Sequence, residues 1–238
     1  MITDDGVNLL DPGKTPSENI QFLVFLMAVI KAVDEYADLL RISVASAGND
    51  HRLGANEAPP AVVSIFLGDE LTEVLKSIEN DTYFTSHGAV QMDIGATVLP
   101  HFVKDNTDRN RTSPFAFTGN KFEFRMLGSA ASVANPNIVL NTAVAEALDQ
   151  FAKELDGVAP EDMEHAVHEL IKRAIKKHKR VIFNGNGYTD EWIEEAEKRG
   201  LYNLKSTPDA LPMWIAQKNI DLFTKHSIFT SEELHSRL

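Results

Sequence analysis

Asp108-Arg109-Asn110-Arg111-Thr112-Ser113 leads through a short apolar run and a Thr118-Gly119-Asn120 turn into Lys121-Phe122-Glu123-Phe124-Arg125-Met126. The last six residues alternate as a strand does, where successive side chains point to opposite faces. Phe122, Phe124 and Met126 therefore ask for a core, while Lys121, Glu123 and Arg125 share the other face. That second face sets an acid between two bases, which is costly to bury unless it meets further charge. Upstream, Arg109 and Arg111 also lie two residues apart. Arginine forks grip phosphate or carboxylate, and a carboxylate oxygen suits a hard cation such as magnesium. The competing reading is a solvated edge strand laced by cross-strand ion pairs. Either way the segment predicts a sheet.

The composition narrows the function classes. A chain of 238 residues, 43% hydrophobic and 24% charged, can bury a substantial core. Its formal charge of −12 argues against nonspecific nucleic-acid binding, which needs a basic surface. With no cysteine there is neither disulfide nor thiolate chemistry, in keeping with a reducing, cytoplasmic setting. Met1-Ile2-Thr3-Asp4-Asp5 does not read as a secretory leader. The most apolar run, Ile20 to Ile30, is too short to span a bilayer and predicts a buried helix rather than a membrane anchor.

In chain order, Ser17 is the expected N-cap of a helix reaching about Leu40, with Lys31, Asp34, Glu35 and Asp38 forming its wet side. Arg41 to Ala47 alternates weakly and predicts a strand. Gly48 to Pro60 predicts a long polar loop and a second candidate site, with Arg52 as a substrate clamp and Glu57 as a base or cation-stabilising group; a plain surface turn is the alternative. Ala61 to Leu67 predicts a strand, and Gly68-Asp69 opens a helix with Leu71, Val74, Leu75 and Ile78 on one stripe. Residues 80–94 predict loop and 95–103 a strand.

Beyond the central strand, residues 138–155 and 160–179 carry helical patterns. The basic run from Lys172 to Arg180 has the spacing of a solvated helix face, and His165 and His168 lack a third metal ligand. Val181 to Phe183 suggests a brief strand. Asn184-Gly185-Asn186-Gly187 has too few glycines for a dinucleotide loop. Thr189 caps a helix, another is expected over 211–223, and Thr230-Ser231-Glu232-Glu233 is a capping box. That box opens a helix the sequence leaves unfinished, as a cut chain would. The expected division is 1–155 and a helical 156–238.

Three blocks in order carry a resemblance: Ala47-Gly48-Asn49-Asp50-His51-Arg52-Leu53-Gly54-Ala55-Asn56-Glu57-Ala58-Pro59-Pro60, then Asn110-Arg111-Thr112-Ser113, then Lys121-Phe122-Glu123-Phe124-Arg125. Together they resemble glutamine synthetase in its long type III form, and the segment from Phe183 to Trp192 is similar to the part peculiar to that form. The resemblance implies an α+β fold: the C-terminal part of the catalytic domain, an antiparallel sheet or half-barrel with helices, followed by a mainly helical extension. It implies ATP-dependent amidation of glutamate by ammonium through γ-glutamyl phosphate, with Mg2+ or Mn2+, in a homo-oligomeric ring without nucleic acid or membrane. By the same resemblance Arg52 holds the substrate glutamate's carboxylate, and Glu57 closes the site and takes a proton. Arg111 meets nucleotide phosphate, Glu123 ligates metal, and Arg125 faces the glutamyl phosphate. Ala116 stands where many relatives place a further arginine. Two alternatives remain open: a non-catalytic nucleotide-binding or assembly piece, and a carboxylate–amine ligase for another amine.

Overall fold

From Ile20 to Ile30 the only polar side chain is Gln21, so a helix formed there has almost no side suited to water. The computed structural model, which describes residues 1–55, 58–82 and 112–238 and the backbone of 91–92 and 102–103, places this helix at the centre. Helix α1 runs Ile20–Glu35, and Phe22, Leu26, Met27 and Ile30 lose essentially all their exposure in it. At about 1.5–3 kcal/mol for each large apolar side chain, this helix anchors the core. Its N-cap is Asn19, whose side chain accepts from Phe22 N at 3.0 Å, rather than the expected Ser17. It ends at Tyr36, and α2 resumes over Ala37–Ser43.

The strand expected from Arg41 is therefore helical as far as Ser43. All seven residues of α2 are buried, so no polar face exists from which a period could be read. Helix α3, Ala47–Arg52, then takes the first half of the expected loop, capped by the Ser46 side chain on Asn49 N. The predicted wet side of α1 is also corrected: Lys31, Asp34 and Asp38 are buried, Lys31 against Glu35 of its own helix and the two aspartates against partners brought from later in the chain.

The expected strand 61–67 contracts to β1, Ile65–Phe66, and α4 covers Asp69–Glu79 with Leu71, Val74 and Leu75 inward as the stripe required. Of the strand expected over 95–103, residues 95–101 lie outside the described residues; β2, Gln91–Met92, pairs antiparallel with β3, Phe102–Val103. The decisive stretch forms β4, Phe115–Phe117, and β5, Phe122–Phe124. They pair antiparallel around a turn in which Gly119 has φ +89° and Thr118 N donates to Lys121 O at 2.8 Å. The register sets Phe115 opposite Phe124, Ala116 opposite Glu123 and Phe117 opposite Phe122. Phe122 and Phe124 both lie against the Phe115 ring, at 5.1 and 5.8 Å, so the aromatic face points to the core. The sheet order is β1-β4-β5, with β1 and β4 parallel, which departs from the antiparallel expectation.

The remainder is helical: α5 (Ala134–Leu155), α6 (Met163–His178), α7 (Asp190–Lys198), α8 (Thr207–Ala210), α9 (Gln217–Lys225) and α10 (Ser231–His235). The caps at Thr189 and Thr230 form as expected. The single helix expected over 211–223 is divided, because Ala216 is extended (ψ 133°) between a 3-10 turn at Leu211–Ile215 and α9. Residues 181–183 make one parallel bridge, Ile182 to Ile65, rather than a strand.

Helix α1 packs against α5 and α6, and one apolar cluster extends from Leu10 to Leu234. In the basic run ending α6, Arg173, Lys176, Lys177, Lys179 and Arg180 are exposed as a solvated face requires, and several of its members also meet acids. Lys172 meets Asp81, Lys179 meets Glu79 at 2.6 Å, and His178 and Arg180 both meet Asp34. The whole is a mixed α+β structure, mostly helical, with small sheets.

Candidate functional site

A helix of six residues cannot hold itself in water, since nucleation costs more than so few bonds return. α3 persists because each turn is tied to something else. Asn49, buried, donates from Nδ2 to Val44 O at 2.8 Å and to Met126 O at 2.9 Å. Its Oδ1 accepts from Arg52 Nε at 3.0 Å, and Arg52 Nη2 donates to Met126 O at 2.7 Å and Arg125 O at 3.4 Å. The guanidinium of Arg52 is thereby oriented along two edges and brought to the end of β5, beside Arg125.

On β5 the i, i+2 relation operates as the strand pattern predicted. Arg125 Nε and Nη2 both donate to Glu123 Oε2, at 3.1 and 3.0 Å. Thr118 Oγ1 donates to the other oxygen, Oε1, at 3.3 Å. The arginine side chain is 14% exposed and the carboxylate side chain 43%, so Glu123 presents its free lone pairs to the outside while Arg125 is held behind it. Ala116, opposite Glu123, adds no bulk or charge to this face. Arg52, Glu123 and Arg125 thus come together from segments some seventy residues apart. Glu57 and Arg111 lie outside the described residues.

Chemically, the arrangement offers the Arg125 guanidinium with the outward carboxylate of Glu123, and a second guanidinium, that of Arg52, on the backbone carbonyls beside them. This suits an anionic substrate with charge to be neutralised. As for a divalent cation, Glu123 fits as one oxygen ligand, but no group of three or more His, Asp or Glu gathers among the described residues. His165 and His168 line a groove of about 930 Å3 between α1, α4 and α6, together with Asp81, Glu161 and Glu164. That groove includes none of Arg52, Glu123 and Arg125.

Sequence reasoning missed the supports of the site. Asp50 accepts from Arg41 Nη2 at 2.7 Å and from the backbone N–H of Thr207 at 2.6 Å. Burial would raise its pKa, but these hydrogen bonds outweigh burial and hold the carboxyl below its ordinary range. The signal available was Ser46 three residues before Asn49, a helix cap that the intervening Gly48 disguised. Asn184 serves as a clamp rather than a nucleotide loop. Its Oδ1 accepts from Leu67 N and Gly68 N at 3.0 and 3.1 Å, and its Nδ2 donates to Thr72 Oγ1 at 2.8 Å. Gly68, the N-cap of α4, has no side chain to offer that helix start. Gly187 lies so close to Thr112 that a Cβ there would stand 2.3 Å from the Thr112 carbonyl oxygen.

Comparison with known proteins bears on this geometry. Residues 166–238 match the family model described as the glutamine synthetase C-terminal domain. Glutamine synthetase of Butyrivibrio fibrisolvens is 58% identical over 240 residues, covering 99% of this chain and 33% of that protein. Type-3 glutamine synthetase of Dictyostelium discoideum is 53% identical over 236 residues, covering 99% and 32% respectively. Glutamine synthetase of Bacteroides fragilis is 42% identical over 244 residues, covering 100% and 33%. The chain spans about a third of the length of these curated relatives. Over that third, and from one end of the chain to the other, it is related to the glutamine synthetases, the type-3 form among them.

Proposed function

We propose that this chain supplies part of the active site of a glutamate–ammonia ligase. In this reaction ATP phosphorylates the γ-carboxylate of glutamate and ammonium displaces the phosphate. The observation that carries the reading is the convergence of Arg52 and Arg125 at the end of β5, beside the outward carboxylate of Glu123. Arg52 binds the substrate's α-carboxylate as a fork already fixed on two sides, so little side-chain freedom is lost on binding. Arg125 stabilises charge that develops on the phosphorylated carboxylate, and its tie to Glu123 keeps it from collapsing onto the product. Glu57 and Arg111, assigned by resemblance, take the proton and the nucleotide phosphate. A divalent cation, Mg2+ or Mn2+, would supply phosphate charge neutralisation, with Glu123 as one ligand. A half-barrel catalytic sheet, a cytoplasmic homo-oligomeric ring, and the substrates ATP, glutamate and ammonium belong to the same proposal.

The test replaces the matching third of the Butyrivibrio fibrisolvens enzyme with residues 1–238 and follows phosphate release from Mg-ATP. Release that requires both glutamate and ammonium supports the ligase. Release driven better by a larger amine would make it a different carboxylate–amine ligase. Silence of the chimera, with the parent active, would favour a non-catalytic role.

A further inference from the structure

Residues at i and i+2 on a helix do not face each other. On α3 this places Asp50 and Arg52 on different sides, and the two sides have different partners. Arg52, with Asn49, reaches the carbonyls that end β5. Asp50 reaches the other way, to residues beyond position 200. Its Oδ2 accepts from Thr207 N at 2.6 Å and its Oδ1 from Arg41 Nη2 at 2.7 Å. Arg41, 1% exposed, in turn donates from Nε to Leu204 O at 2.7 Å and from Nη2 to Lys205 O at 3.2 Å. The segment Leu204–Thr207 therefore grips both charged partners at once, through three of its backbone groups. One residue before it, Asn203 bridges to Val62.

We propose that this C-terminal segment is a positioning element for Arg52, and that Asp50 is the positioning residue through which it acts. The inference rests on the reading of Arg52 as the arginine for the substrate carboxylate. α3 is too short to fix its own orientation. With Asp50 released, the helix can roll about its remaining contacts, and the guanidinium of Arg52 moves with it. Affinity for glutamate then falls while the phosphoryl-transfer step, served by Arg125 and Glu123, is kept.

The test has two arms. In the 238-residue chain, the Nε–H proton of Arg52, identified by its disappearance in Arg52→Lys, is followed by solvent exchange in NMR. Asp50→Ala is expected to speed that exchange at least about tenfold, because the hydrogen bond to Asn49 no longer persists. Thr189→Ala, which removes the cap of α7 without touching α3, lowers the melting temperature but leaves the exchange unchanged. If Asp50→Ala does not fold, Asp50→Asn serves in its place. It keeps one oxygen acceptor and is expected to show a smaller acceleration.

In the chimera, the Asp50 variant raises the KM for glutamate several-fold, with kcat and the KM for ATP held within about twofold. Unchanged exchange, or a fall in kcat with no change in the glutamate KM, overturns the proposal. A chimera that makes no glutamine removes the ligase reading instead, and the exchange measurement still decides whether Asp50 holds Arg52.

Discussion

Asp34 on α1 and His178 at the end of α6 meet through Oδ2 and Nδ1 at 2.8 Å, both side chains 3% exposed. The second oxygen of Asp34 accepts from Arg180 Nε at 2.7 Å. A carboxylate this deep in an apolar cluster is tolerated only because both oxygens are engaged. Removing it leaves a buried imidazole and a guanidinium short of their partner. Asp34→Ala is therefore expected to lower unfolding stability by about 3–5 kcal/mol, and Asp34→Asn by about 1–3 kcal/mol. Urea denaturation monitored by circular dichroism reads both, and equal losses would count against the ion-pair account.

Acid sensitivity is expected at the α5–α9 contact. Hydrogen bonds from Lys153, then from Lys225, hold Asp149 down to about 2 from an ordinary 3.8. Burial raises Glu146, but Lys225, Gln150 and His226 outweigh it and bring it below its usual range. A depressed carboxyl contributes stability above its unfolded value and loses it as pH falls through the folded one. The contribution of Asp149 is thus intact above 3.8 and disappears toward 2. Lys225→Met should flatten the fall of stability across that window, seen as a reduced slope of unfolding free energy against pH. An unchanged slope would assign the acid transition to other carboxyls.

Gly187 tests close packing. Its need is for space rather than for an unusual backbone, since any Cβ would press on the Thr112 carbonyl and touch Pro59. Gly187→Ala forces backbone to shift and is expected to cost roughly 1–3 kcal/mol in chemical denaturation. A neutral result would mean that the approach to Thr112 relaxes freely.

For the proposed chemistry, Arg52→Lys keeps the charge but loses the planar fork that reaches Asn49 and Met126 together. The chimera carrying it should show a roughly tenfold higher KM for glutamate, about 1.4 kcal/mol of binding, with little change in kcat. Glu123→Gln, by contrast, should lower kcat and leave that KM near its original value. A reversed pattern would exchange the two assignments.

Much of this was legible because it is local. The stripe of α4 and the caps at Thr189 and Thr230 depend on residues within a few positions of one another, and they form as the pattern requires. The i, i+2 pairing of Glu123 with Arg125 is a strand property and was equally readable. What escaped depends on contacts across the chain. Asp34 and Asp38 look like part of a solvated face until the end of α6, the turn after it and α9 bring His178, Arg180 and Lys218 to them. α2 gave no period because every side of it is covered. Arg52 stood out in the sequence as a candidate, but Asn49 and Asp50, which orient it and its helix, did not, since their partners Met126 and Thr207 are far away in sequence.

Those distant partners also impose an order in time. Asp38 is satisfied by Lys218 and Asn219, about 180 residues later in synthesis. At roughly 5–20 residues per second, a ribosome needs about 10–40 seconds to make that stretch. Until then the nascent α1–α2 region carries acids that its own neighbours cannot neutralise, beside its most apolar surface. Contacts of such high sequence separation close slowly even in the finished chain. The interior around Asp38 therefore sets only after Lys218 and Asn219 have been made.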